Sequence, residues 1–300
     1  MEAIASDRPA FYPVLVIEND LVAPIGMLDG WLREAGAALA MCSPATGQPL
    51  PADLSGYSAL VVLGGGMGAY DDDRAPWLPQ VRALLAEAVR TELPTLGICL
   101  GAQLLAAAVG GRVSVAETPE YGSQLVAKRQ AAAADPLFGE LPITPDVLQW
   151  HVDEVSELPP GAVLLASSPV CEVQAFRVGR LAWGTQFHIE TTPEIVAQWA
   201  RQDAELLRDY DLAAILERSD RAQPDIVEVW QPVVAAFVAL AADPAAGLTG
   251  AEGPAAGAGP RLLPMAGSGP VTTAGPITDA AAIRAALAAE LQASRDPSGH

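Results

Sequence analysis

The chain has 300 residues, 51% of them hydrophobic, which is enough to bury the core of one large domain or two small ones. Its 17 basic and 36 acidic residues give a net charge of −19, a balance that argues against nucleic acid or an acidic membrane surface as a partner. The three cysteines, Cys42, Cys99 and Cys171, are odd in number, widely spaced and without a CxxC pair, so neither a disulfide framework nor a structural zinc site is expected.

From the start of the chain, "MEAIASDRPA" carries early charges and no apolar run, so no signal peptide is read there. "VLVIEND" (14–20) is a β-branched run and predicts a strand; "PIGMLDGWLREAGAAL" (24–39) follows with apolar residues at helical spacing. "SALVVLGGG" (58–66) predicts a second strand ending in glycines. "PWLPQVRALLAEAVRTEL" (76–93) places Trp77, Val81, Leu84, Leu85 and Val89 on one helical face. "PTLGIC" (94–99) is the next strand and "AQLLAAAV" (102–109) the next helix, stopped by Gly110 and Gly111. Strand and helix in alternation imply an α/β domain with a mostly parallel sheet covered on both faces.

The middle of the chain changes character. The runs 112–117, 123–128, 162–168, 171–179 and 181–190 are apolar or alternating without long helices between them, and predict added strands, some antiparallel. Helices are expected over 193–210 and 225–240. The longest apolar stretch, 229–242, is too short to span a bilayer and contains Pro232. From about 243 the sequence turns rich in Ala, Gly and Pro, which reads as a flexible linker, before a good helix former at 279–295. These readings together suggest a soluble, cytoplasmic protein with no membrane partner.

The chemistry centres on "LPTLGICLGAQLLAAAVGG" (93–111). Gly97, Cys99 and Gly101 form G-x-C-x-G between a strand and a helix, the sulfur counterpart of a nucleophile elbow. The following helix offers its N–H groups and positive dipole end to a thiolate, and the backbone N–H of Leu100 is placed for a tetrahedral oxyanion. Of three histidines, His300 is the last residue, which leaves His151 and His188. His188 has Glu190 two positions on, and strand periodicity would put both on one face, the carboxylate orienting the imidazole. Cys99, His188 and Glu190 thus make a complete catalytic constellation. "VLGGGMGAYDDD" (62–73) ends a strand in glycines at the same sheet edge and has no G-K-[ST], so it is not a phosphate loop.

Together "LPTLGICLGAQLLA", "LVVLGGGMGAYD" and "WGTQFHIE" resemble a class I (triad-type) glutamine amidotransferase domain, over roughly residues 12 to 205. The resemblance implies a flavodoxin-like fold and hydrolysis of the glutamine side-chain amide. It implies Cys99 as nucleophile, His188 as base and acid, Glu190 as its orienter, Gly66 and Leu100 as oxyanion donors, and Gln103 as a substrate-holding residue. "WHVDEVSELPPGA" resembles a segment near such sites, so His151 is read as a neighbour of the base. Ala102 and Ile189 stand where the family commonly has His and Pro, and Met67 where several synthetases have Pro.

The expected organisation is an amidotransferase-like domain over 1–210, a helical extension over 211–242, the linker over 243–277 and a C-terminal helix and tail over 278–300. No cofactor and no metal are expected. Three functions stay open: a glutaminase delivering ammonia to a separate synthetase partner, a stand-alone γ-glutamyl peptidase, or a catalytically silent regulatory homologue. The chain has no S-G-G-x-D-S loop of an ATP-pyrophosphatase domain.

Overall fold

A computed structural model describes residues 12–244. An eight-stranded sheet forms the centre. In chain order its first strands are β1 (Val14–Ile17), β2 (Leu39–Cys42), β3 (Ala59–Val62) and β4 (Thr95–Ile98). The helices between them are α1 (Leu28–Glu34), α2 (Leu78–Thr91) and, after β4, α3 (Leu100–Ala108). Next come β5 (Arg112–Leu125), β6 (Ala127–Lys128), β7 (Asp146–Glu157), β8 (Val163–Ser167), β9 (Ala175–Val178) and β10 (Ala182–Thr185), then α4 (Pro193–Gln202) and α5 (Leu212–Ala242). The strand order is β2-β1-β3-β4-β10-β9-β8-β6, parallel from β2 to β10 and antiparallel beyond. The expected α/β, mostly parallel sheet with helices on both faces is therefore present.

The two faces follow from side-chain alternation along fully buried strands. Val14 and Val16 of β1 point into one core with α1 and α5, where Leu28, Trp31, Ile226, Trp230 and Phe237 pack. Leu15 and Ile17 point into the other, with Val81, Leu84 and Leu85 of α2 and Leu104 and Leu105 of α3. At roughly 1.5–3 kcal/mol per fully buried large side chain, these two layers dominate stability.

Several expected elements differ. The strand β2 and the long β7 carry too little periodic contrast to be read locally and are fixed by their partners. The runs 112–117 and 123–128 are not two strands: 112–125 is one strand, paired antiparallel with β7 in a separate ribbon with two register shifts. The helix expected over 193–210 ends at Gln202, with Asp203 as C-cap. The helix expected over 225–240 is the later part of one that begins at Leu212 and fills the helical extension expected over 211–242; Asp211 caps it by accepting from the Ala214 N–H at 3.0 Å. It runs through Pro224 and Pro232. By length and composition α5 could cross a membrane. Its apolar face is instead spent on the sheet, with Trp230 1% exposed and its Nε1 donating to the Asp146 carbonyl at 2.9 Å. The linker and tail expected from 243 onward lie outside the described residues, apart from Asp243 and Pro244.

The parallel strands β1, β3, β4 and β10 all end at one edge of the sheet, which is where α/β sheets bind ligands. The loops leaving that edge carry Asp20, Gly64–Gly66, Cys99 and His188.

Candidate active site

Cys99 sits between β4 and α3 with φ +50° and ψ −108°, a left-handed backbone that non-glycine residues rarely adopt. Such strain costs of order 1–3 kcal/mol and persists only where neighbours enforce it. They do: the Cys99 N–H donates to the Thr185 carbonyl at 2.7 Å, and its carbonyl accepts from the Gln103 N–H at 3.0 Å. The flanking glycines are required by contact. A Cβ on Gly101 would lie 2.0 Å from the Val62 carbonyl oxygen, and one on Gly97 2.6 Å from Gly101. The elbow thus packs α3 onto β3 with no room for a side chain.

His188 lies beyond the end of β10, so the strand argument for its pairing with Glu190 does not describe the real backbone, which bends there. What fixes it is β7. The His188 N–H donates to the Leu148 carbonyl at 2.8 Å, and the Leu148 N–H returns a bond to the His188 carbonyl at 3.1 Å. The pairing itself is present: Nδ1 is 2.6 Å from Glu190 Oε1, with both side chains buried. The other Glu190 oxygen accepts from the Ile189 N–H at 2.9 Å, and the Glu190 carbonyl accepts from the Met27 N–H at 2.8 Å. The imidazole lines the same cavity as Cys99. Burial works against its charge, but the Glu190 carboxylate and then the Cys99 sulfur outweigh it, so the His188 imidazolium is pushed up to about 10. Trp199 packs edge-on against the ring, with centroids 4.8 Å apart.

The structure therefore brings Cys99, His188 and Glu190 together. The Leu100 N–H begins α3 beside the sulfur, in the turn whose N–H groups have no helical acceptor. Gly66 reaches the site but is turned: its N–H donates to Asp20 Oδ2 at 3.2 Å. Gln103 is also present, yet its Nε2 is committed to the Asp153 carbonyl at 3.0 Å and to Gln186 Oε1 at 3.2 Å. Gln186 in turn places its Nε2 3.8 Å from Cys99 Sγ. Sequence reasoning missed Asp20 and Gln186. The first lies in a loop read only as the polar end of a strand; the second stands two residues before His188 and could have been noticed there.

Above Cys99 and His188 is a cavity of about 350 Å³. Met67, Tyr121, Trp150, Trp199 and Leu206 give it an apolar wall, and Asp71, Arg74 and Asp203 give it charge. Trp150 Nε1 donates to Asp203 Oδ2 at 2.7 Å. The Tyr121 hydroxyl is buried in this wall, and burial together with Tyr210 and Asp203 raises it far above the ordinary phenol. His151 also lines the cavity, but it pairs with Glu120 at 3.2 Å, not with Cys99.

Residues 32–202 match the family glutamine amidotransferase class-I. The chain belongs to that family. A solved glutamine amidotransferase from Thermotoga maritima is 30% identical, with a TM-score of 0.68 over 78% of this chain and 99% of that one. One from Methylobacillus flagellatus is 28% identical, with a TM-score of 0.70 over 76% and 95%. The glutamine-hydrolyzing GMP synthase of Thermomicrobium roseum is 38% identical over 130 residues, 43% of this chain and 23% of that protein. A protein of Methanococcus vannielii named as a subunit of glutamine-hydrolyzing GMP synthase is 40% identical over 106 residues, 35% of this chain and 54% of that one. The matched stretches thus span about a quarter and about half of those two relatives. The family match takes in Cys99, His188 and Glu190, so the whole constellation lies inside the glutamine amidotransferase class-I region.

Proposed function

We propose that the protein hydrolyses the side-chain amide of glutamine through Cys99, His188 and Glu190. The observation that carries this is the strained Cys99 elbow facing a buried, carboxylate-held imidazole. The Cys99 thiolate attacks the amide carbon. His188, as imidazolium, gives its proton to the departing nitrogen, so ammonia leaves and a γ-glutamyl thioester remains. Water then attacks the thioester, His188 takes its proton, and the sulfur is released as glutamate departs. Glu190 holds the ring and balances its charge throughout. The Leu100 N–H, and Gly66 once freed, receive the oxyanion.

Asp20 bears on the rate. With the Gly66 N–H given to its carboxylate, one oxyanion donor is withheld, and a single donor is worth roughly 10²–10³ in rate. Slow turnover of glutamine by the isolated chain follows, with a separate protein that receives the ammonia favouring the conformer in which Gly66 faces the substrate. The relative named as one subunit of a GMP synthase supports a partner of that kind.

A second reading is favoured by the aromatic wall. The cavity falls in the range of about 300–1,000 Å³ that takes drug-sized ligands. Trp150, Tyr121 and Leu206 would accommodate the amine portion of a γ-glutamyl amide larger than ammonia. The test is kcat/KM of the purified protein for glutamine and for γ-glutamyl dipeptides, without a partner. Ammonia release from glutamine supports the first reading. Efficient dipeptide cleavage with negligible glutaminase activity replaces it with the second.

A further inference from the structure

We propose that Cys171, His151 and Glu120 form a zinc site in the wall of the Cys99 cavity. Glu120 comes from β5, His151 from β7 and Cys171 from the loop before β9. Their ligating atoms all lie within 4.8 Å of one another, and all three side chains are buried. The donors are one thiolate, one imidazole and one carboxylate. Three such protein ligands with a fourth position left for water is a zinc arrangement, and soft sulfur beside nitrogen disfavours magnesium or calcium.

The imidazole is already set for a metal. Nδ1 lies 3.0 Å from the Asp153 carbonyl oxygen, which can only accept, so Nδ1 carries the hydrogen. That is how metal-binding histidines are oriented from behind. The remaining nitrogen, Nε2, faces Glu120 Oε2 at 3.2 Å. In the neutral ring this sets a lone pair beside a carboxylate oxygen, an arrangement in which both atoms can donate to one ion. Glu120 is fixed as well: Gln174 Nε2 donates to it at 2.7 Å and the Ser168 hydroxyl at 3.4 Å.

Charge is consistent with this: among the described ion pairs the one at Glu120 is with His151, and no arginine or lysine joins it. Binding is a ligand exchange without redox change. The Cys171 thiol gives its proton to solvent, its sulfur donates an electron pair to the metal, and water leaves the ion. Of the three ligands, His151 lines the cavity.

The site connects to Cys99. The Asp153 carbonyl that holds His151 also accepts from Gln103, which reaches Gln186, which touches the Cys99 sulfur. A bound ion therefore stiffens the frame behind the nucleophile.

The test uses the full chain carrying Cys99→Ala, which removes the other buried thiol–imidazole pair as a metal trap. After dialysis against zinc and then metal-free buffer, elemental analysis should find about one zinc per chain. Cobalt(II) should give the intense visible bands of a tetrahedral site with a thiolate-to-metal transition. Adding Cys171→Ser should remove the thiolate transition and most of the zinc, and His151→Gln should do likewise. If those variants do not fold, the Cys99→Ala chain still decides, because zinc should raise its melting temperature and a chelator should reverse the rise. No retained zinc with no cobalt thiolate band overturns the proposal, as does zinc retained undiminished in folded Cys171→Ser. None of these readouts depends on glutamine hydrolysis.

Discussion

Among the described residues two Cys-His-Glu groups stand out, and they differ in what surrounds each sulfur. Cys99, His188 and Glu190 stand at a strand-to-helix elbow; Cys171, His151 and Glu120 stand between a ribbon and a loop. Both are buried, and both have a carboxylate within 3.2 Å of an imidazole. They differ in what faces the sulfur. Cys99 meets the first turn of α3 and an imidazolium whose charge is favoured. Around Cys171, burial, then the Glu154 and Glu120 carboxylates, push the thiol upward. The same residue types thus stand in two different environments, so residue types alone do not assign the chemistry.

The comparison breaks most readily at the cysteines. Cys99→Ala should abolish glutamine hydrolysis, while Cys171→Ser should retain turnover; steady-state ammonia release measures both, and the opposite order would move the nucleophile to the second group. The histidines come next. His188→Ala should cost roughly 10²–10⁴ in kcat, the usual worth of general acid–base catalysis, and His151→Ala much less.

Much of this contrast is legible in the sequence on one side only. G-x-C-x-G after an apolar run and F-H-I-E after an alternating one are local patterns, so Cys99, His188 and Glu190 can be found without a fold. The second group cannot. Glu120 and His151 are 31 residues apart and meet only because β5 and β7 pair with Glu120 opposite His151. The same holds for Asp20, whose carboxylate reaches Gly66 across 46 residues. The alternation of elements gives the parallel half of the sheet. It does not reveal β2 or β7, because cross-strand pairing decides those segments.

Smaller effects sharpen the account. Asp20→Ala frees the Gly66 N–H and should raise kcat for glutamine by part of the roughly 10²–10³ one oxyanion donor is worth. A fall with unchanged folding would make Asp20 a support of the glycine loop. The smallest effect is on stability. His188 is raised in the folded state from an unfolded value of about 6.5. Its charged contribution is thus fully present below about 6.5 and lost as pH rises through about 10. The stability gap between the native protein and His188→Gln, followed by denaturant titration, should narrow across that window. A gap independent of pH would remove the charge from the account.

The most direct measurement is covalent trapping with an electrophilic glutamine analogue, followed by intact mass and peptide mapping of the full chain. The account predicts a single adduct on the peptide containing Cys99, blocked by glutamine and absent in Cys99→Ala. An adduct on Cys171, or one on Cys99 that glutamine does not compete with, would contradict it.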